Sequence, residues 1–484
     1  MNIVLTKVKK ITYIKENEIM EEYSMLIRFN VKNFLSFDRR EDGKTEEFSM
    51  ISGKVRNKKE HIYDDGKMKL LKFAAIYGAN AAGKSNLVKA MDFMRHTVIK
   101  GLPDGHTERY CKIEPSNQDE ASYFELEILL NNKYYAYGFE VILSQSKFIA
   151  EWLIELNADN SEKVIFQRDI MTGKYELGKD LRHKGLYEKI DVYASDVSDD
   201  TSVLFLNLMN QNKKNLYNEF DDAAIIRDVF LWIKEQFDIN YPDQPISDYS
   251  YLAKAKDVQE VCRVISAFGT GITDFKMVDV PVEKVLGELP QKLQKRIISD
   301  IEQKQAEMRG NEKISEIALV MRSNTNFFII TLSEEDGIKC QTIEFSHGEK
   351  DVLFQLSEES DGTVRVLDLL EILLAGEGKT YVIDELDRCL HPSLTYKFVE
   401  TFLQVAEERN IQLIVTTHES RLLDFELLRR DEIWFVNKNK LGKSDVYSLE
   451  EYNARFDQKI DKAYLEGRYG GVPIFSTVFP VKEE

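Results

Sequence analysis

The octapeptide GANAAGKS, Gly78 to Ser85, limits what the chain can fold into more than any other stretch. Its glycines let a loop wrap closely round an anion and leave backbone N–H groups pointing inward. It follows the apolar run LKFAAIYG (Leu71–Gly78), which suits a buried strand, and precedes SNLVKAMDFMRHTV, whose periodicity is helical. The positive end of that helix adds to the anion site. Strand, glycine loop and helix in this order are the context of a phosphate-binding loop. In such a loop Lys84 reaches the β- and γ-phosphates of a nucleotide, and the Ser85 hydroxyl is a ligand to Mg2+.

A chain of 484 residues is too long for one compact core, so two lobes or a domain with a large insertion are expected. No uncharged apolar run reaches the ~18 residues of a membrane span. The first twenty residues lack the apolar core and cleavage site of a secretory leader. Cys111, Cys262, Cys340 and Cys389 lie far apart and form neither a CxxC pair nor a metal-ligand spacing, which fits a reducing cytoplasm. The net charge of −18 argues against coating nucleic acid by bulk electrostatics. The small basic clusters Lys54–Lys59 and Gln291–Arg296 read as solvated surface.

Patterning divides the chain further. Residues 1–24 are charged and poorly patterned, an expected N-terminal extension, and MLIRFNVKNFLSF from Met25 alternates as a first strand. The run SYFELEILLNNKYYAYGFEVIL predicts a hairpin turning on its NNK, and FIAEWLIELN and EKVIFQRD continue the antiparallel theme. Residues 185–325 read as a largely helical insertion, including AIIRDVFLWIKEQF, AKDVQEVCRVISAF and LPQKLQKRIISDIEQKQAEM. Strand-like runs return in NFFIITL and CQTIEFS. Beyond them KTYVIDE, SLTYKFVETFLQVAEE, IQLIVTTH and DEIWFVNK alternate strand with helix, which implies a mainly parallel sheet with helical crossovers. The fold class is therefore α/β: a first half over 25–184 with the phosphate loop and an antiparallel β subdomain, the insertion, and a second half over 326–484.

The second half supplies the chemistry a phosphate loop lacks. KTYVIDELD is an apolar strand ending in adjacent acids. Asp384 can hold the magnesium shell, and Glu385, pointing differently, can polarise an attacking water. LIVTTHES is another buried-looking strand, and His418 at its end lies where open parallel sheets bind ligands. From there it can reach a γ-phosphate and the attacking water.

The order GANAAGKS, long insert, SDGT, YVIDELD, LHP and VTTH resembles that of bacterial ATPases labelled AAA that carry an ABC-type head, relatives of RecF, of SMC proteins and of the ATPase part of the overcoming-lysogenisation-defect (OLD) nucleases. The ending AYLEGRYGGVP (Ala463–Pro473) is similar to that of stand-alone members, and the resemblance covers roughly Met25 to Pro473. It implies ATP and Mg2+ as ligands. By motif, Gly78, Asn80, Gly83, Lys84, Ser85 and Asn86 bind nucleotide, Ser85 and Asp384 serve the metal, Glu385 is the catalytic base and His418 the switch histidine. Asp387 falls where such ATPases place a cross-dimer contact, and His391 and Pro392 match a recurrent HP. Gln211 in LFLNLMNQNKKN is a candidate for the glutamine that senses magnesium. Ser360, Asp361, Gly362 and Thr363 occupy the place of the Ser-x-Gly turn that contacts the γ-phosphate held by the opposite protomer. Asp361 is odd beside a phosphate and suits a helix cap with its side chain turned away. Val366, Leu369, Leu370 and Leu373 bury one face of the helix that follows.

The resemblance further implies heads that dimerise on ATP, hydrolyse it slowly and separate, as a homodimer or higher homo-oligomer. Stand-alone members of this kind act as sensors in anti-phage or abortive-infection systems beside a separate effector, such as a Toprim-like or other nuclease. The 66 residues after His418 (484 − 418) are too few for a nuclease domain of that type. The alternative is a RecF-like repair ATPase that binds DNA directly with a salt-dependent affinity. A third possibility, an ordinary P-loop kinase or GTPase, gives no role to Ser360–Thr363 or His418. No membrane association is expected.

Overall fold

The computed structural model describes residues 24–469 except 41, 158, 160, 184, 248, 254–257, 288–290, 292–293, 296, 300, 302–315, 323–324, 334–336, 349–351, 375–377 and 453–459. The expected extension up to residue 23, most of LPQKLQKRIISDIEQKQAEM and the end of AYLEGRYGGVP fall outside the described residues. Packing divides the chain into two compact units. One comprises Glu21–Ile239, Glu377–Asp387 and Val399–Glu484; the other comprises Asn240–Gly376 and Arg388–Phe398.

The first unit carries the phosphate loop on a six-stranded sheet. Its order is Phe237–Asn240, Thr380–Ile383, Gln412–Thr416, Phe73–Tyr77, Ile433–Lys438, Ser444–Ser448. Phe73–Tyr77 runs parallel to both neighbours, Thr380–Ile383 parallel to Gln412–Thr416, and Ser444–Ser448 antiparallel to its partner. All residues of Phe73–Tyr77, Thr380–Ile383 and Gln412–Thr416 are buried. Strands covered on both faces read as continuous apolar runs, which is how AAI, YVI and LIV appear in the sequence. The alternation read in the last third thus becomes a mixed, mainly parallel sheet.

A seven-stranded antiparallel sheet belongs to the same unit, in the order Lys174–Leu177, Glu162–Asp169, Lys147–Leu156, Lys133–Ile142, Ser122–Leu130, Ser24–Lys32, Glu46–Ser49. The predicted hairpin is present, with Leu130 paired to Lys133. Asn131 and Asn132 take φ of 53° and 58°, the left-handed pair of a type I′ turn, which asparagine tolerates. The first strand is shorter than its alternation suggested. It ends at Lys32, and NFLSF folds into a tight turn in which Phe34 and Phe37 exchange backbone hydrogen bonds of 2.8 and 2.9 Å. Asn33 and Leu35 are left-handed there (φ 53° and 54°), so the chain cannot stay extended.

Among the described residues, 185–325 holds the helices Leu186–Asp196, Phe205–Met209, Lys214–Glu219, Ala224–Leu231, Val258–Ala267 and Val282–Gly287, and it also contributes strands: Phe237–Asn240 is the edge strand of the phosphate-loop sheet. Asp274–Asp279 and Glu316–Arg322 are strands of the second unit. They join Phe327–Ser333, Gly337–Ser346 and the short Phe354–Gln355 in an antiparallel sheet. That unit also holds the helix Asp361–Leu374. Val366, Leu369, Leu370 and Leu373 are buried as their spacing predicts, and so are Arg365 and Asp368. Asp368 receives Arg322 at 3.3 Å, and Arg322 also donates to the Tyr249 hydroxyl at 2.8 Å. No helix among the described residues is long and apolar enough to cross a membrane.

Candidate active site

Three parallel strands deliver their loops to one edge of the six-stranded sheet. Phe73–Tyr77 runs into the glycine loop and the helix Lys84–Lys100. Gly83 precedes that helix with φ 120°, and a Cβ there would lie 2.4 Å from Ser444 Oγ. A Cβ on Gly78 would lie 2.4 Å from the Val436 carbonyl oxygen. Both positions therefore require glycine, one for conformation and both for space. Lys84 is 7% exposed, and its ammonium spans the loop, donating to Gly78 O at 2.7 Å and Ala79 O at 3.3 Å. Burial lowers its pKa from the usual 10.5, opposed by the charges of Asp384, Asp387 and Glu385. A buried ammonium held by loop carbonyls, facing carboxylates, can exchange those partners for phosphate oxygens.

The acids stand at the end of Thr380–Ile383. Asp384 is buried and accepts from the Thr416 hydroxyl at 2.6 Å; the same hydroxyl oxygen accepts from the Glu385 N–H at 2.8 Å. Glu385 takes φ 51°, a left-handed conformation that is uncommon for glutamate. Asp387 Oδ1 accepts from the Thr417 hydroxyl at 2.6 Å and from the His418 N–H at 3.1 Å. His418 stands exposed at the rim. Desolvation first, then the charge of Lys84, lowers its pKa from the usual 6.5. The imidazole is therefore neutral at pH 7, with one nitrogen able to accept and one to donate.

Lys84, Asp384, Glu385, Asp387 and His418 thus come together. Ser85 and Asn80 are on the same loop, at the helix start and the loop crest. Asn86 is engaged laterally, its amide donating to Ser36 Oγ at 2.7 Å. Gln211 is not brought to this edge. Its amide donates to Asn207 Oδ1, and Asn207 in turn donates to Val98 O and Ile99 O, at the far end of the loop's helix. Val98 lies thirteen positions along the helix from Ser85, about 20 Å at 1.5 Å per residue. Gln211 therefore has no reach to a metal beside Ser85.

The Ser360–Thr363 turn lies in the second unit. Ser360 caps the helix Asp361–Leu374: its hydroxyl oxygen accepts from the Thr363 N–H at 3.1 Å. Asp361, expected as the cap, is instead the first residue of the helix and is exposed. A Cβ on Gly362 would lie 3.0 Å from the Cys389 carbonyl oxygen, so this glycine also serves packing within the chain. The HP pair starts the helix Pro392–Glu407: Pro392 is its first residue, and His391 Nδ1 accepts from the Ser393 N–H at 3.2 Å.

A model of the family described as "AAA domain, putative AbiEii toxin, Type IV TA system" matches residues 73–424, from the first residue of the phosphate-loop strand to just beyond His418. The chain belongs to this family. No curated protein matches the sequence. Similar solved structures include the SMC head domain from Thermotoga maritima (14% identity, TM-score 0.34, 87% of this chain and 98% of that one). Another is the Smc head domain with a coiled coil and joint from Pyrococcus yayanosii (13% identity, TM-score 0.36, 92% of this chain and 100% of that one).

In this AAA domain, sequence reasoning missed the hydroxyls that hold the site. Thr416 and Thr417 stand in VTTH beside His418, but only the fold turns them onto Asp384 and Asp387. Tyr464, in AYLEG, packs edge-on to Tyr77 at 5.6 Å. Ser36 and Ser444 flank the loop's other end. Two threonines directly after the buried apolar triplet of Leu413, Ile414 and Val415 were the one signal available in sequence.

Proposed function

We propose that this chain is an ABC-type ATPase that works as an ATP-dependent switch. Two copies close on two ATP molecules, hydrolyse them and part. The observation that carries the proposal is the convergence of Lys84, Asp384, Glu385 and His418 on one sheet edge, supplied by the segments that follow three neighbouring strands, Phe73–Tyr77, Thr380–Ile383 and Gln412–Thr416. Backbone amides of 78–85 and the Lys84 ammonium bind the phosphates. Ser85 and Asp384 would hold a magnesium ion that arrives with the nucleotide and neutralises its phosphate charge. Among the described residues no group of three His, Cys, Asp or Glu side chains is placed to hold a metal alone, which fits an ion shared with a substrate. Glu385 takes the proton of the attacking water as its oxygen bonds to the γ-phosphorus and the bond to ADP breaks. His418 hydrogen-bonds the γ-phosphate and that water. Ser360 and Gly362 serve the nucleotide of the other copy.

The biological setting proposed is anti-phage defence beside a separate effector, in keeping with a family whose description speaks of a toxin and a toxin–antitoxin system. The decisive experiment is Glu385→Gln. The variant retains ATP, loses hydrolysis by about 100-fold or more, and runs as a dimer only with Mg·ATP in size exclusion with light scattering. A variant that stays monomeric with saturating ATP overturns the switch.

A further inference from the structure

Ser36, Ser444 and Asn86 meet beside the phosphate loop. Asn86 Nδ2 lies 2.7 Å from Ser36 Oγ, Ser36 Oγ 2.8 Å from Ser444 Oγ, and Ser444 Oγ 2.6 Å from the Ala82 carbonyl oxygen. Proton inventory fixes the direction of this chain. The Ala82 carbonyl can only accept, so it takes the single hydroxyl proton of Ser444. The Ser36–Ser444 contact is then filled by the proton of Ser36, whose oxygen accepts from the Asn86 amide. Each of the three contacts then has its own proton, from Asn86 through two hydroxyls to the loop backbone.

The fold builds this row deliberately. The NFLSF turn buries Phe34 and Phe37 and sets Phe34 4.9 Å from Phe93 of the loop's own helix. The Asn33 side chain ties the turn to Asn117 O and Glu120 O. Ser36 O also accepts from the Ser444 N–H at 2.8 Å, so the two serines are registered by backbone as well as by side chain. Both are nearly inaccessible, Ser36 at 6% and Ser444 at 1%.

We propose that Ser444, backed by Ser36 and Asn86, is a nucleotide-positioning residue; the proposal rests on the loop binding a nucleoside triphosphate. In the trans peptide Ala82–Gly83 the C=O and the N–H point to opposite sides. Holding the Ala82 carbonyl on Ser444 turns the Gly83 N–H away from Ser444 and into the loop, where a phosphate oxygen accepts it. Without the hydroxyl that carbonyl loses the side chain that fixes its direction, and the peptide is less firmly preset when the nucleotide arrives. The row acts on binding, because it touches neither the water nor Glu385.

The test uses the full chain with a fluorescent ATP analogue and Mg2+, reading the dissociation constant by titration and turnover at saturating ATP. Ser444→Ala weakens binding about tenfold, the scale of one lost hydrogen bond to a preset group, while saturated turnover changes less than about twofold. Ser36→Ala weakens binding by a smaller factor, and adds nothing when Ser444 is already alanine. Ser444→Cys, nearly isosteric but a weak donor, weakens binding in the same direction and replaces the alanine variant if that one does not fold. A Ser444→Ala protein that binds as tightly as wild type, or two serine effects that simply multiply, overturns the proposal while nucleotide binding stands. A wild type that binds no nucleotide overturns both.

Discussion

Glu46 lies on the strand Glu46–Ser49 at 3% exposure, with Oε2 accepting from the Val446 N–H at 3.0 Å. Burial pushes its pKa from 4.5 to about 7; that hydrogen bond opposes the shift, Asp445 and Asp42 add to it, and Arg40 counters it. The folded chain therefore keeps a proton that the unfolded chain has lost once the pH exceeds 4.5. The corresponding stability is fully present below pH 4.5 and disappears as the pH rises through about 7. Glu46→Gln removes the titration and leaves an acceptor for Val446. Its stabilising effect over wild type grows by about 2 kcal/mol between about pH 5.5 and pH 8, read from urea melts at the two pH values. A constant difference across that range would mean that Glu46 ionises normally in the fold. Lys84, Asp384, Glu385 and His418 were legible from sequence because each has a fixed place after a buried strand. Ser36 and Ser444 were not: their contact joins positions 408 residues apart, and a serine carries no pattern that announces such a partner.

Among the elements, the hairpin around Asn131 and Asn132 and the parallel strands were legible, because period and turn chemistry are local. The end of the first strand was not. Alternation continues through Phe34, Ser36 and Phe37, and only the left-handed Asn33 and Leu35 break it. The same strand is irregular between Leu26 and Arg28, where its pairing register shifts. A bulge leaves backbone groups without ladder partners, and Gln412 from the phosphate-loop sheet supplies them. Its Oε1 accepts from the Leu26 N–H at 2.7 Å and from the Thr380 hydroxyl at 2.9 Å; its Nε2 donates to Leu26 O at 3.0 Å and Leu71 O at 2.9 Å. One buried amide thus fastens the antiparallel sheet to the parallel one. Gln412→Leu leaves four buried polar groups unserved and destabilises the protein by about 3 kcal/mol or more, measured by denaturant unfolding. A loss below about 1 kcal/mol would show that water or rearranged backbone serves those groups instead.

At the scale of the whole molecule, the phosphate loop and the Ser360–Gly362 turn belong to different compact units of one chain. The turn sits on a helix whose buried side includes the ion pair of Arg322 with Asp368, and Tyr251 donates to Leu367 O at 2.8 Å. These contacts anchor the helix that carries the turn within its own unit. Gly362 and Ser360 already have tasks inside their own chain, which is why sequence alone could not separate a capped helix from half of a shared site. Mixing variants does separate them. Lys84→Ala disables a loop and Ser360→Arg, at an exposed position, disables a turn; each protein alone is inactive if sites are shared. In a mixed dimer one site joins the two defective parts and the other joins the two intact ones. With random pairing at equal amounts, half of the dimers are mixed and half of their sites work. The mixture should therefore recover about a quarter of wild-type hydrolysis, the rate expected for shared phosphoryl-transfer sites. Full activity in Ser360→Arg alone would assign the turn to helix capping only. A mixture that stays inactive while the two proteins demonstrably co-purify would confine the site to a single chain.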